Sequence, residues 1–297
     1  MLGTALEAGG GPLSLLEKAE KVLAAFDGGR GRLSLTEIIQ RSGLSRSSAH
    51  RILDQLVRLR WLDREGRDYR LGLRMLEHGG LAAHHNRLIR AAIPHLDALH
   101  EATGKLVQLY VLDGVTDVVC LERAGSLPHS AGDATDRAYP VRIGARLPAH
   151  ATAAGKAMLA FGGKDDIERV VAAGLKPRTA RTVTRADVFC SELSRVRTAQ
   201  IAYDRGETFD GLVCSAVPLR GAGRAVAAVS LGSLGGLRPL ELAAPLLQGA
   251  ARAIWRDLNG PGRAARHAPA PDVTPENASV DRTIPNLLGW VRADSWM

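Results

Sequence analysis

Apolar residues return every three or four positions through the first part of the chain. Leu15, Leu16, Ala19, Val22, Leu23 and Phe26 form one stripe, which predicts a helix over Leu15–Phe26. Ser34, with Glu37 three residues later, is a capping-box pair, and Leu35, Ile38 and Ile39 then predict a second helix. Gly43 follows its last turn, where a left-handed backbone is cheap only for glycine. Ser45 is the N-cap of a third helix running to Leu59, with Ala49, Ile52, Leu53, Leu56 and Val57 on its buried side. Arg46, Ser47, His50, Arg51, Asp54 and Arg58 are left facing out. Trp61–Arg64 and Tyr69–Leu71 predict two short strands around a turn at Glu65–Asp68.

The period changes further on. Residues 78–103 predict a helical linker. Leu106–Leu112 and Val115–Glu122 flank Asp113–Gly114, a hairpin signal. Tyr139–Ile143 predicts another strand, and Thr152–Phe161 and Asp165–Ala173 predict helices. Phe189–Gly206 predicts a longer helix from Leu193, Val196, Ala199, Gln200 and Tyr203. Leu212–Pro218 and Ala225–Ser230 are apolar strands about a glycine-rich turn, and Leu240–Leu258 closes with a helix. Hairpins with flanking helices predict an α+β fold with an antiparallel sheet. The chain then divides into a flexible arm (1–12), a helical module ending in a short hairpin (13–77), the linker (78–103), a second domain (104–258) and a tail (259–297). The tail has five prolines and no periodicity, which predicts disorder. Its Leu287, Leu288, Trp290, Val291 and Trp296 leave docking open as the other reading.

Charge sharpens the picture of the first module. The 297-residue chain has a net charge of +8, and residues 41–74 hold nine Arg against four acids, 9 − 4 = +5. Helix, helix, glycine turn, helix and basic hairpin is the order of a winged helix-turn-helix. A helix N-terminus presents backbone N–H groups and a positive dipole end to phosphate. Ser45 and Ser47 add short donors there, and Arg46, His50 and Arg51 can reach phosphates or base edges. Arg64, Arg67 and Arg70 on the hairpin can lie along the backbone or enter the minor groove. Double-stranded operator DNA is therefore the expected partner. The plainer reading is a small helical domain with a solvated basic face.

Other chemistry is thin. Three cysteines lie far apart with no CxxC, so no disulfide framework or zinc site is expected. The histidines give no HExxH and no G-x-S-x-G occurs, so no catalytic residue and no cofactor is expected. No apolar run approaches the roughly 18 residues of a membrane span, and the first residues lack a signal-peptide pattern, so a cytoplasmic chain is expected. AAGKA (153–157) is not a phosphate loop, because G-x-x-x-x-G-K-[ST] is not met. It reads as a small-residue helix start. Backbone donors at Ala153, Ala154 and Gly155 would suit a carboxylate, and close helix–sheet packing explains the same residues.

LTEIIQRSGLSRSSAHRILDQLVRLRWLDREGRDYRLGLRMLEHG (35–79) resembles the winged helix of the IclR family of bacterial transcription regulators. AHATAAGKAMLA (149–160), AYDRGETFDGLVCSAVPL (202–219) and AVAAVSLGS (225–233) resemble that family's effector domain. The resemblance spans residues 13–258. It implies a GAF-like effector domain and a ligand-responsive regulator, a repressor modulated by a small organic acid. It implies ligand contacts from Asp204, Cys214 and Ser230, and assembly as a homodimer or homotetramer. By themselves Asp204 reads as a helix end, Cys214 as a core thiol and Ser230 as a strand-end hydroxyl. Three positions depart from the family pattern. Arg60–Trp61 stand where a glycine is usual, and Ala153 replaces another glycine. The usual pair of serines one residue apart is here Ser230-Leu231-Gly232, with Ser233 next as a substitute. The alternatives are a GAF-like sensor or enzyme with an accessory nucleic-acid-binding module, and an architectural DNA binder without a ligand.

Overall fold

The computed structural model describes residues 13–27, 31–127 and 142–260. The predicted arm and nearly all of the tail lie outside them. Ser14 and Glu17 cap each other at the start of α1 (Leu15–Ala24). Ser34 and Glu37 do the same for α2 (Leu35–Ser42), and Gly43 ends α2 at φ 69°. Ser45 caps α3 (Arg46–Arg58). β2 (Leu62–Glu65) and β3 (Asp68–Leu71) form the hairpin. Leu33–Ser34, not expected as a strand, adds a short strand β1 to β3, giving the order β1-β3-β2. Val22, Leu33, Ile38, Ile52, Leu53 and Leu62 meet in one core. Each such side chain contributes roughly 1.5–3 kcal/mol of burial.

Arg60 follows α3 at φ 60°, the left-handed region. The glycine usual at this turn would adopt it without strain; here an arginine carries it at about 1–2 kcal/mol. Gly72 is forced by space instead: a Cβ there would lie 2.3 Å from the Arg60 carbonyl oxygen.

The linker is two helices, α4 (Leu73–His85) and α5 (Arg87–Thr103). They break at Asn86, whose side chain accepts from the Leu88 and Ile89 N–H groups and so caps α5. α4 has no buried residue, and Leu73, Leu76 and Leu81 are exposed. α5 buries Ile89, Ala92, Leu96 and Leu99. The second half of the predicted linker therefore packs as part of the second domain.

That domain has a six-stranded antiparallel sheet, order β6-β5-β4-β9-β8-β7. The strands are β4 (Leu106–Asp113), β5 (Asp117–Ala124), β6 (Arg146–Pro148), β7 (Ala202–Arg205), β8 (Val213–Leu219) and β9 (Ala227–Ser233). The helices are α6 (Ala153–Leu159), α7 (Lys164–Ala172), α8 (Ala186–Ala199) and α9 (Arg238–Asn259). One face packs on α6 and α8 through Tyr110, Cys120, Met158, Phe189, Ala216 and Ala228. The other packs on α5 and α9 through Leu96, Leu109, Val229, Leu231, Leu240 and Leu247.

Three sequence expectations need correction here. Of the strand Tyr139–Ile143, residues 139–141 lie outside the described residues, 142–144 form a turn, and the strand itself begins at Arg146. The helix Phe189–Gly206 stops at Ala199, because Gln200 takes a left-handed cap at φ 58°. Residues 202–205 become strand β7. β9 begins at Ala227 and continues to Ser233, three residues beyond the expected end.

Candidate functional site

The first site is the outer face of α3 with the β2–β3 hairpin. The buried stripe of α3 fixes which residues remain outside, and Ser45, Arg46, Ser47, His50 and Arg51 are all exposed. Ser45 Oγ accepts from the Ser48 N–H and lies 3.4 Å from Ser47 Oγ. Arg46 and Arg51 have no ion-pair partner among the described residues. His50 Nδ1 is 3.0 Å from Asp54 Oδ2, one turn along. Asp54, expected on this face, thus partly offsets its charge through His50.

The hairpin arginines are not equivalent. Arg67 is exposed beside Gly66 at the tip, with no partner among the described residues. Arg64 is exposed, donates from Nε to the Gly66 carbonyl and lies over the Tyr69 ring. Arg70 lies opposite Asp63 in the β2–β3 register and pairs with Asp63 at 3.3 Å and Glu65 at 2.9 Å. Its charge is already matched within the hairpin. Arg32 makes a third pair there with Glu65, at 2.7 Å.

The second site is the α6 face of the sheet. Directly paired antiparallel residues share a face. The register places Asp204, Cys214, Gly232 and Leu106 in one row, and Ala202, Ala216, Ser230 and Gln108 in the next. Asp204 therefore does not end a helix: it sits on an edge strand with its side chain on the same face as Cys214. Ser230 is mid-strand rather than at a strand end. Ser233 is offset by an odd number of residues from Ser230, so it faces the α5–α9 side. It cannot replace the second family serine, whose position is Gly232. A Cβ at Gly232 would meet Leu106 and the Cys214 sulfur at ordinary contact distances, 3.5 and 3.8 Å.

Asp204 is 2% exposed. Its Oδ1 accepts from the N–H groups of Glu207, at 2.6 Å, and Thr208, which ties the turn after β7 to the strand. Burial pushes its carboxyl up to about 6, and the Glu207 carboxylate acts in the same direction. Burial, and then Asp204, push the Cys214 thiol well above its ordinary range, so it is not a thiolate nucleophile.

α6 packs across β7, β8 and β9. Its Ala153, Ala154 and Gly155 are all buried. A Cβ on Gly155 would lie 2.1 Å from the Ala149 carbonyl oxygen. The Gly155 N–H is taken by Thr152 Oγ1 at 3.0 Å. The close-packing reading therefore accounts for Gly155.

The residue after it was missed. Lys156 is completely buried, with Nζ 2.7 Å from Glu207 Oε1 and 2.9 Å from Glu192 Oε1. Burial would raise the Glu192 carboxyl, but Lys156 and Arg205 outweigh it and hold it below the usual range. Glu207 Oε2 has no hydrogen-bond partner among the described residues. This cluster joins α6, α8 and the turn after β7. Gln108 was missed as well: it is buried on the same face and reaches the Cys120 sulfur at 3.6 Å. One polar residue in the apolar run LVQLYV was its only sequence signal.

The family description "IclR helix-turn-helix domain" matches residues 15–66, and "Bacterial transcriptional regulator IclR C-terminal" matches residues 80–238. The chain belongs to the IclR family. It is a transcriptional regulator and not an enzyme. It is 31% identical over 223 residues to the HTH-type transcriptional regulator XynR of Escherichia coli, covering 74% of this chain and 85% of that one. It is 32% identical over 217 residues to the p-hydroxybenzoate hydroxylase transcriptional activator of Acinetobacter baylyi, covering 72% and 79%. An IclR homolog from Microbacterium hydrocarbonoxydans, solved in complex with 4-hydroxybenzoate, superposes with a TM-score of 0.70 at 29% identity, covering 82% of this chain and 99% of that one. As in that superposed IclR homolog, a helix-turn-helix is joined to an antiparallel sheet. No helix among the described residues is long and apolar enough to cross a membrane.

Proposed function

We propose that this regulator reads an operator through α3 and the hairpin, and that an organic acid on the α6 face of the sheet releases it. On this reading it is a cytoplasmic repressor. The observation that carries the DNA half is the pair of unpartnered arginines, Arg46 and Arg51, on the exposed face of a capped helix. Ser45, Ser47 and His50 complete that contact, with Arg64 and Arg67 on the backbone beside it. Arg70 supports the hairpin rather than the DNA.

One winged helix makes few contacts, and two half-sites restore affinity and specificity. The exposed Leu73, Leu76 and Leu81 of α4 give this chain an apolar surface for a second copy. The proposed assembly is a homodimer through α4 and the DNA-binding module, with a tetramer as the higher form. The effector contacts are Asp204, Cys214 and Ser230, with Ala153 and Ala154 beside them. The bound 4-hydroxybenzoate of the Microbacterium protein supports an acid of that class. A ligand shifts the regulator only through its different affinity for two states, and the coupling expected is about 1–3 kcal/mol.

The test is fluorescence anisotropy on the DNA upstream of the chain's own gene. Arg51→Ala should weaken binding by about 1–3 kcal/mol if Arg51 reads a base. Asp204→Ala with Ser230→Ala should leave DNA affinity intact and remove the response to 4-hydroxybenzoate. Unchanged affinity in the first variant would displace α3 from the groove. An unchanged response in the second would place the ligand elsewhere.

A further inference from the structure

β7 begins opposite Ala216, so the last three residues of β8 have no paired strand beside them on that side. A groove of about 480 Å³ opens there, between the end of α8, β8 and α9. It lies at the sheet edge on the α9 side, where Val217 belongs to the core shared with α9 and Gln248, Ala251, Arg252 and Trp255 of α9 form one wall, and Asp204 does not line it. The volume falls within the range of small-molecule sites.

The chemistry of the walls is one-sided. Arg220, Arg252, Gln248 and Trp255 line the groove, and no carboxylate among the described residues does. Arg252 and Gln248 form no ion pair or hydrogen bond among the described residues. Arg220 spends Nη1 on the carbonyls of Gly221 and Gly223, stacks over the Phe161 ring at 3.9 Å, and leaves its buried Nε without a partner. Neither arginine is matched by an acid. Trp255 is seated on bare backbone: a Cβ at Gly221 would lie 2.9 Å from its Cζ2. A guanidinium fork suits a carboxylate, and an indole offers a flat apolar wall. Pro218 lacks the N–H that an added strand would need, which disfavours a peptide here.

We infer that this groove is a second ligand site, for a small carboxylate with a flat apolar body, held by Arg252 and Gln248 against Trp255. It is distinct from the sheet-face site proposed above. α9 carries its occupancy toward the DNA-binding half, because its last turn is tied to α5. The Arg87 Nη2 donates to the Leu258 carbonyl at 3.1 Å, and His95 Nε2 is 2.7 Å from Asp257 Oδ2.

The test titrates benzoate into the full chain by calorimetry and by tryptophan fluorescence. Arg252→Glu should remove one bound benzoate per chain, and Arg252→Ala should weaken that event at least tenfold. In the Asp204→Ala, Ser230→Ala double variant the Arg252-dependent event should persist, which separates this site from the other. Trp255→Phe should keep the binding heat and lose the matching fluorescence change. Inorganic phosphate should bind at least tenfold more weakly than benzoate. Benzoate binding that is indifferent to Arg252→Glu, or phosphate binding as tightly as benzoate, would overturn the assignment.

Discussion

Asp204→Asn should stabilise this protein at pH 8 and leave its stability nearly unchanged at pH 4. The carboxyl is buried, and its pKa is raised from an ordinary 3.8 to about 6. A group raised in the folded state contributes stability that is fully present below its unfolded value. That stability is lost as pH climbs through the folded value. Between pH 4 and pH 7 the folded chain therefore loses on the order of 3 kcal/mol at this site, from about two pKa units at 1.36 kcal/mol each. Asparagine keeps an Oδ1 to accept from the Glu207 and Thr208 N–H groups, so the turn after β7 survives the change. It cannot ionise, so the pH-dependent penalty disappears. The assay is urea unfolding of the parent and the variant at several pH values from 4 to 8. The difference between the two curves isolates Asp204, because the other titrating groups are common to both. A stability difference of the same size at pH 4 and pH 8 would refute the reasoning. So would a variant that is less stable than the parent at pH 8.

The same reasoning predicts that an organic acid bound beside Asp204 takes up a proton on binding. Its affinity should rise as pH falls from 8 toward 6 and lose that dependence in Asp204→Asn, which calorimetry in buffers of different ionisation enthalpy reads directly. Arg67→Ala should lower the slope of log affinity against log salt by about 1. Arg70→Ala should leave that slope alone and lower the melting temperature, because Arg70 is matched by Asp63 and Glu65. Gly155→Ala should cost at least about 1–3 kcal/mol in chemical denaturation, since its Cβ would run into the Ala149 carbonyl. Arg60→Gly should stabilise by about 0.5–1 kcal/mol, the relief of a left-handed arginine less the added freedom of glycine in the unfolded chain.

The sequence alone determined the parts of this protein that depend on neighbours three or four residues away. The caps at Ser34 and Ser45, the glycine stop at Gly43 and the buried stripe of α3 are local, so they were legible before any fold was known. The exposed face of α3, and with it the residues proposed to read DNA, followed by subtraction. What only the tertiary structure decided depends on strand register and on distant partners. Gln200 in a left-handed conformation ends α8 and turns Asp204 from a helix end into a strand residue, although the apolar spacing continues unbroken through Tyr203. β9 runs past Ser230, so a shift of an odd number of residues sends Ser233 to the opposite face from Cys214. Arg70 and Arg67 look alike in a list of hairpin cations, and only the cross-strand pairing shows that one is neutralised and the other free. Lys156 finds its two carboxylates 36 and 51 residues away. No periodicity reports such a separation, because a buried ion pair is chosen by the space the fold closes around it and not by the chain that leads to it.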